Sequence, residues 1–104
     1  MKSVSQGDII KFDAFKNQFL VVSKNSYIRA TGMFHICPIL KNVKAGPVHI
    51  QIKGRAKTTG TAICDQLKLI DSREHSYTVS DSVPYDQIME VSDVIQGIFE
   101  YGEI

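Results

Sequence analysis

Along most of the chain short apolar runs alternate with polar or glycine-marked breaks, one of them with the strict two-residue period of a half-buried strand, and only the C-terminal part shifts to the longer period of a helix. Residues 7–15, GDIIKFDAF, read as a first strand behind a glycine turn, and residues 18–24, QFLVVSK, as a second, joined around Lys16 and Asn17. Residues 33–40, MFHICPIL, form a third, in which Pro38 predicts an edge or a bulge because proline has no N–H to give to a ladder. Residues 47–54, PVHIQIKG, alternate cleanly, with Val48, Ile50 and Ile52 on an inward face and His49, Gln51 and Lys53 facing out. Residues 60–70, GTAICDQLKLI, read as a fifth strand, interrupted by Cys64, Asp65 and Gln66. Residues 73–82, REHSYTVSDS, are too polar to assign, and part of them is compatible with a helical turn.

The pattern predicts one helix, starting near Ser82. Ser82 suits the N-cap, Pro84 is tolerated in the first turn, and Asp86 suits the positive helix end. Ile88, Val91, Ile95 and Ile98 then make an apolar stripe. Gly97 weakens the interior by about 1 kcal/mol relative to alanine, which leaves the last turn to be held by packing. Nothing repeats and no linker is visible, so residues 1–104 read as one domain. The expected fold is mainly β: a small, strongly bent barrel or sheet with a C-terminal α-helix against it.

Composition narrows the class. With 43% hydrophobic and 22% charged residues the chain is ordinary globular material, which argues against disorder. Its apolar runs fall far short of the roughly 18 residues of a membrane span. The opening MKSVSQGDII also lacks the apolar core of a signal peptide, so no membrane and a cytoplasmic location are expected. Cys37 and Cys64 lie far apart in apolar surroundings without a Cys-x-x-Cys partner and read as packed, reduced thiols. His35, His49 and His75 lack metal-ligand spacing, and neither metal nor cofactor is expected.

The net charge of +1 conceals an asymmetry. Lys41, Lys44, Lys53, Arg55 and Lys57 stand in an acid-free stretch, whereas from Asp81 to the end there are Asp81, Asp86, Glu90, Asp93, Glu100 and Glu103 without one lysine or arginine. The middle of the chain is a candidate surface for a polyanion, against the alternative of a solvated basic hairpin.

In order along the chain, Gly7-Asp8, Val21-Val22, Pro38-Ile39, His49-Ile50 and above all TTGTAICDQLKLID resemble the MazF/PemK family of toxin–antitoxin toxins, in particular its PemK/Kid branch. The resemblance implies an SH3-like barrel that forms a homodimer, binds single-stranded RNA in a groove across the dimer and cleaves it without a metal ion. It also implies that such toxins arrest growth by cutting messenger RNA and are held inactive by a small, acidic, partly disordered antitoxin in the same groove. In a dimeric barrel Asp65 emerges at that groove, with Ala62, Cys64 and Gln66 on the opposite face of the strand; a capping carboxylate bonding turn amides is the alternative.

Cleavage of this type needs a base for the 2′-OH proton, positive charge at the crowded phosphorus and an acid for the departing 5′ oxygen. DNA lacks the internal nucleophile. The family usually supplies an Arg from an Arg-Pro pair at the start of the second strand and a Thr or Ser after the Pro-Ile of the third; here those positions are Asn17-Gln18 and Leu40. The Arg that the Kid branch places two residues before its Asp is Ile63, and the first loop is shorter than usual. Asp65 and His49 are therefore the candidates for proton transfer, histidine being suited to it near neutrality, and Lys41 for charge at phosphorus. Lys41, Arg55 and Lys57 are candidates for gripping phosphates. Tyr27 and Arg29, placed in the turn before the third strand, are candidates for stacking on or pairing with unstacked bases. Each of these residues is also compatible with plain solvent exposure, and His35, among Met33, Cys37 and Ile39, reads as a packed histidine. A binding module of the same fold that has lost cleavage is one alternative. A CcdB-like poison of DNA gyrase is another, although that branch ends in a Trp-containing tail and this chain, without Trp, ends FEYGEI.

Overall fold

Seven strands and two helices succeed one another in the computed structural model, which describes residues 4–102. They are β1 Asp8–Phe12, β2 Gln18–Val21, α1 Asn25–Thr31, β3 Met33–Leu40, β4 His49–Lys53, β5 Thr59–Ile63, β6 Lys68–Asp71, β7 Tyr77–Ser82 and α2 Tyr85–Ile98. The N-terminal three residues, and Glu103 and Ile104 of the FEYGEI end, lie outside the described residues. All pairings are antiparallel, in the order β4-β5-β3-β2-β1-β7, with β6 also on β3. The mainly β fold with a C-terminal helix is thus the one the alternation predicts.

Four local readings need correction. Residues 60–70 are two strands, not one: the chain turns at Cys64-Asp65, with the Gln66 N–H donating to Ile63 O at 3.1 Å, and β6 then pairs a different part of β3. Pro38 stands in a central strand. The Val22 N–H donates to His35 O, so odd-numbered β3 residues turn their peptide groups to β2 and Pro38 turns toward the other side. There β6 has paired residues 33–36 and β5 takes up only at Ile39, so the missing N–H falls in the gap. The polar stretch 73–82 contains a strand, β7, whose inward positions are Tyr77, Val79 and Asp81. Ser82 belongs to that strand; Pro84 occupies the N-cap of α2 and makes no side-chain cap bond.

The sheet is apolar on both faces. On one, Ile9, Leu20, Cys37, Ile39, Ile52, Ala62 and Cys64 pack with Ile88 and Val91 of α2. On the other, Ile10, Val21, Phe34, Ile36 and Ile70 pack with Ile28 of α1 and an edge-to-face cluster around Phe12. Helix α1 ends at Gly32, whose φ of 71° is left-handed and whose N–H donates to Ile28 O.

Curvature brings the β4–β5 turn onto the end of β7. The buried Asp81 carboxylate accepts from the backbone N–H groups of Ala56, Thr58 and Ser82 at 2.7–3.0 Å. Arg55 adds a backbone bond to Ser82 O, and its Nη1 donates to Ser82 Oγ and Val83 O. A side chain at Gly54 would collide with the carboxylate, so glycine is required for the approach. Burial pushes the Asp81 carboxyl up, but the amides and the Thr58 hydroxyl outweigh it and hold it at about 2.

Candidate functional site

Register defines a stretch of the α1-side face, beyond Val21 and Ile36, that lies past the reach of the short helix α1. Phe19 pairs with Pro38 and Leu40 with Thr61, while Thr59, Thr61 and Ile63 pair with Lys53, Gln51 and His49. Paired residues and those two apart share a face, so these side chains stand together, opposite the face on which Ile39, Ala62 and Ile52 meet α2. Toward the β4–β5 end lies a hollow of about 730 Å³ lined by Lys44, Gln51, Lys53, Thr59 and Thr61 among others. Toward the β2 end is one of about 430 Å³, lined by Asn17, Phe19, Pro38, Gln66 and Lys68 with Ile36 and Leu67. Among the described residues no Asp or Glu lines either hollow. Lysine ammonium groups with amide and hydroxyl donors, and no competing carboxylate, suit a polyanionic chain.

Local bonds shape this face. The Thr61 hydroxyl donates to Val43 O at 2.6 Å and ties the β3–β4 loop across β5. On edge strand β4, His49 exchanges backbone bonds with Gly46, and Gln87 of α2 takes the N–H and C=O of Lys53. An edge occupied at both ends is poorly disposed to add a strand, so β4 offers ligands its face.

Of the residues singled out in the sequence, His49 and Asp65 are near one another along the ladder: His49 pairs with Ile63, two residues before Asp65, which is exposed in the turn that starts at Cys64, with Cys64 N–H donating to Val48 O. Asp65 is an exposed turn residue, not the centre of a buried strand. Lys41 is exposed just past Leu40, roughly 10 Å along the sheet at strand rise. Arg55 and Lys57 lie in the turn docked on β7; Arg55 Nη1 is engaged there, while Lys57 is exposed with a left-handed φ of 75°. Tyr27 and Arg29 are on helix α1, not in a turn, at the far end of β3 from Leu40. Tyr27 packs its ring against His35 at 5.3 Å, and His35 Nδ1 meets the Ser23 hydroxyl at 2.7 Å, so the packed-histidine reading of His35 holds.

Sequence reasoning passed over Lys68 and Phe19, set Gln66 on the face opposite Asp65, and counted Lys44 and Lys53 only as members of the basic stretch. Alternation in β4 marks Gln51 and Lys53 as outward, but Lys68 joins the face only because the chain breaks at Asp65. Asn17, Leu40 and Ile63, the positions that the resemblance singled out, line or border this same face. Among the described residues no group of three or more His, Cys, Asp or Glu side chains is placed to hold a metal, and no helix is long and apolar enough to cross a membrane.

Comparison with known proteins covers the whole arrangement. Among solved structures, MazE-MazF (Form-I) from Deinococcus radiodurans superposes with a TM-score of 0.80 at 20% identity, covering 94% of this chain and 97% of that one. MazF (Form-I) from the same organism gives 0.79 at 18% identity, over 94% and 97%. An endoribonuclease in complex with its cognate antitoxin from Mycobacterial species gives 0.75 at 14% identity, over 96% and 100%. At such identities the likeness speaks for the fold. No curated protein sequence matches the chain. Residues 6–99 match the family described as PemK-like, MazF-like toxin of type II toxin-antitoxin system. The chain belongs to this family of toxins.

Proposed function

We propose that the protein is an endoribonuclease toxin that cleaves single-stranded RNA along the open face of its sheet, without a metal ion, as a homodimer. The observation that carries this reading is the lysine-bearing face, with no Asp or Glu among the described residues lining its two hollows, that runs from Lys44 and Lys53 past His49 and the Asp65 turn to Lys68. Phosphates lie against the lysines, and Phe19 offers a ring to an unstacked base. The 2′-oxygen attacks phosphorus as Asp65 or His49 takes its proton; the P–O5′ bond breaks and the other side chain returns a proton to the departing oxygen. Lys41 reaches toward the anionic phosphorus from roughly 10 Å along the sheet. A small acidic antitoxin occupies the same face and competes with RNA; that a structural relative was solved in complex with its cognate antitoxin supports such a partner.

A second reading has its own observation. Asn17, Leu40 and Ile63 cannot supply the guanidinium or the hydroxyl usual in the family, and a module that binds RNA without cutting it follows if nothing replaces them. Incubation of the purified protein with a long unstructured RNA, with and without EDTA, tests both. Fragments in both samples are expected; intact RNA that is nevertheless tightly bound would leave the binding module, and fragments only without EDTA would contradict metal-independent cleavage.

A further inference from the structure

Cys37 and Cys64, remote in sequence, face one another in space. Ile39 pairs with Ala62 and Leu40 with Thr61, and the same register carried further sets Cys37 against Cys64. Cys37 shares the orientation of His35, whose carbonyl accepts from β2, and so turns its peptide groups away from β5. Cys64 turns its own to β4, donating to Val48 O at 2.9 Å. The two thus occupy a non-hydrogen-bonded position of the ladder, where Cα atoms stand about 4.5 Å apart and side chains approach most closely. Disulfides span Cα separations of about 4.4–6.8 Å. Both thiols are free and buried in the cluster under α2, and the Cys64 thiol donates to Ala62 O at 3.7 Å.

We propose that Cys37 and Cys64 form a site of reversible oxidative modification, at which a peroxide joins β3 to the Asp65 turn through an intramolecular disulfide. Cys64 reacts first, because it opens a turn whose next two residues are exposed, whereas Cys37 lies in the middle of a central strand. The neighbouring Cys37 thiol lowers the Cys64 thiol below its usual value, while the Cys64 thiol and burial push Cys37 up. The Cys64 thiolate attacks one oxygen of hydrogen peroxide, the O–O bond breaks, and a sulfenic acid and hydroxide result. The Cys37 sulfur then attacks the Cys64 sulfur; the S–S bond forms, the S–O bond breaks, and the released hydroxide takes the Cys37 proton. In sum two thiols lose two electrons and two protons, and one peroxide becomes two waters. Thiol–disulfide exchange with a small thiol reverses it. This site stands independently of whether the protein cleaves RNA.

The test is intact-mass and peptide mapping of the full chain, reduced and then treated with hydrogen peroxide under native conditions. The mass should fall by that of two hydrogen atoms, peptides bearing Cys37 and Cys64 should be linked, and dithiothreitol should restore the starting mass. Cys37→Ala and Cys64→Ala should each abolish the mass loss. Mapping the wild-type protein keeps the test decisive should either variant fail to fold. Oxygen addition without a Cys37–Cys64 link, links only between chains, or a link that forms only in denaturant would overturn the proposal.

Discussion

Asp81 shows how a single side chain sets the shape on which the site depends. It counts in the sequence as one more acid of an acidic C-terminal segment, yet it is buried and receives three backbone N–H groups. Its folded value of about 2 lies below the usual 3.9 of an unfolded aspartate. Its contribution is therefore fully present above pH 4 and is lost as pH falls from about 4 through 2, on the order of 1–2 kcal/mol after allowance for solvent screening. Asp81→Asn should be less stable than wild type in urea at pH 7, and the gap should narrow by pH 3; a gap that stays constant with pH would place the Asp81 contribution elsewhere. Nothing in the sequence pattern announced this role. An inward position that holds Asp instead of a third apolar residue is what kept residues 77–82 from reading as a strand.

The elements differ in how openly the sequence declared them. Strands β1 to β3 follow from short apolar runs, which a sheet buried on both faces produces, β4 from clean alternation, and α2 from the spacing of Ile88, Val91 and Ile95, while Ile98 at the end of that stripe is exposed. The break between β5 and β6 was hidden, since Leu67, Leu69 and Ile70 continue the apolar run across a two-residue turn. Helix α1 was hidden because it has seven residues and no side-chain cap at Lys24. The cations of the open face were visible in the sequence, but which of them share a side came only with the register. Gly60 links element to site: a Cβ there would lie 2.6 Å from Ile39 Cγ2 and 3.2 Å from Leu40 O, so glycine lets β5 cross β3 closely. Gly60→Ala should destabilise the fold by about 1–3 kcal/mol and loosen the face. Equilibrium unfolding decides this, and an unchanged midpoint would mean that Ile39 yields without cost.

For the whole molecule, the account requires a groove large enough for a strand of RNA, and one sheet face is short. Light scattering should give about twice the chain mass of 11.6 kDa, and a monomer at tens of micromolar would remove the dimer-spanning groove. Replacement of Lys44, Lys53 and Lys68 together by alanine should weaken RNA binding and lower the salt slope by about 0.7 per lost contact, roughly 2 in all. Stability should hardly move, as exposed substitutions usually stay within about 0.5 kcal/mol. An unaltered slope would return these lysines to solvated surface.

The central claim is that this face cuts RNA through its own 2′-OH with Asp65 and His49 moving the protons. Single-turnover cleavage of one defined RNA, beside the same strand carrying a single 2′-deoxy nucleotide at the cut site, tests it most directly. The wild-type protein should cut the first and spare the second, and His49→Ala and Asp65→Ala should each lose about 10² to 10⁴ in rate while keeping RNA affinity. Cleavage of the 2′-deoxy strand at the same bond, or full activity in the His49→Ala, Asp65→Ala double variant, would contradict it.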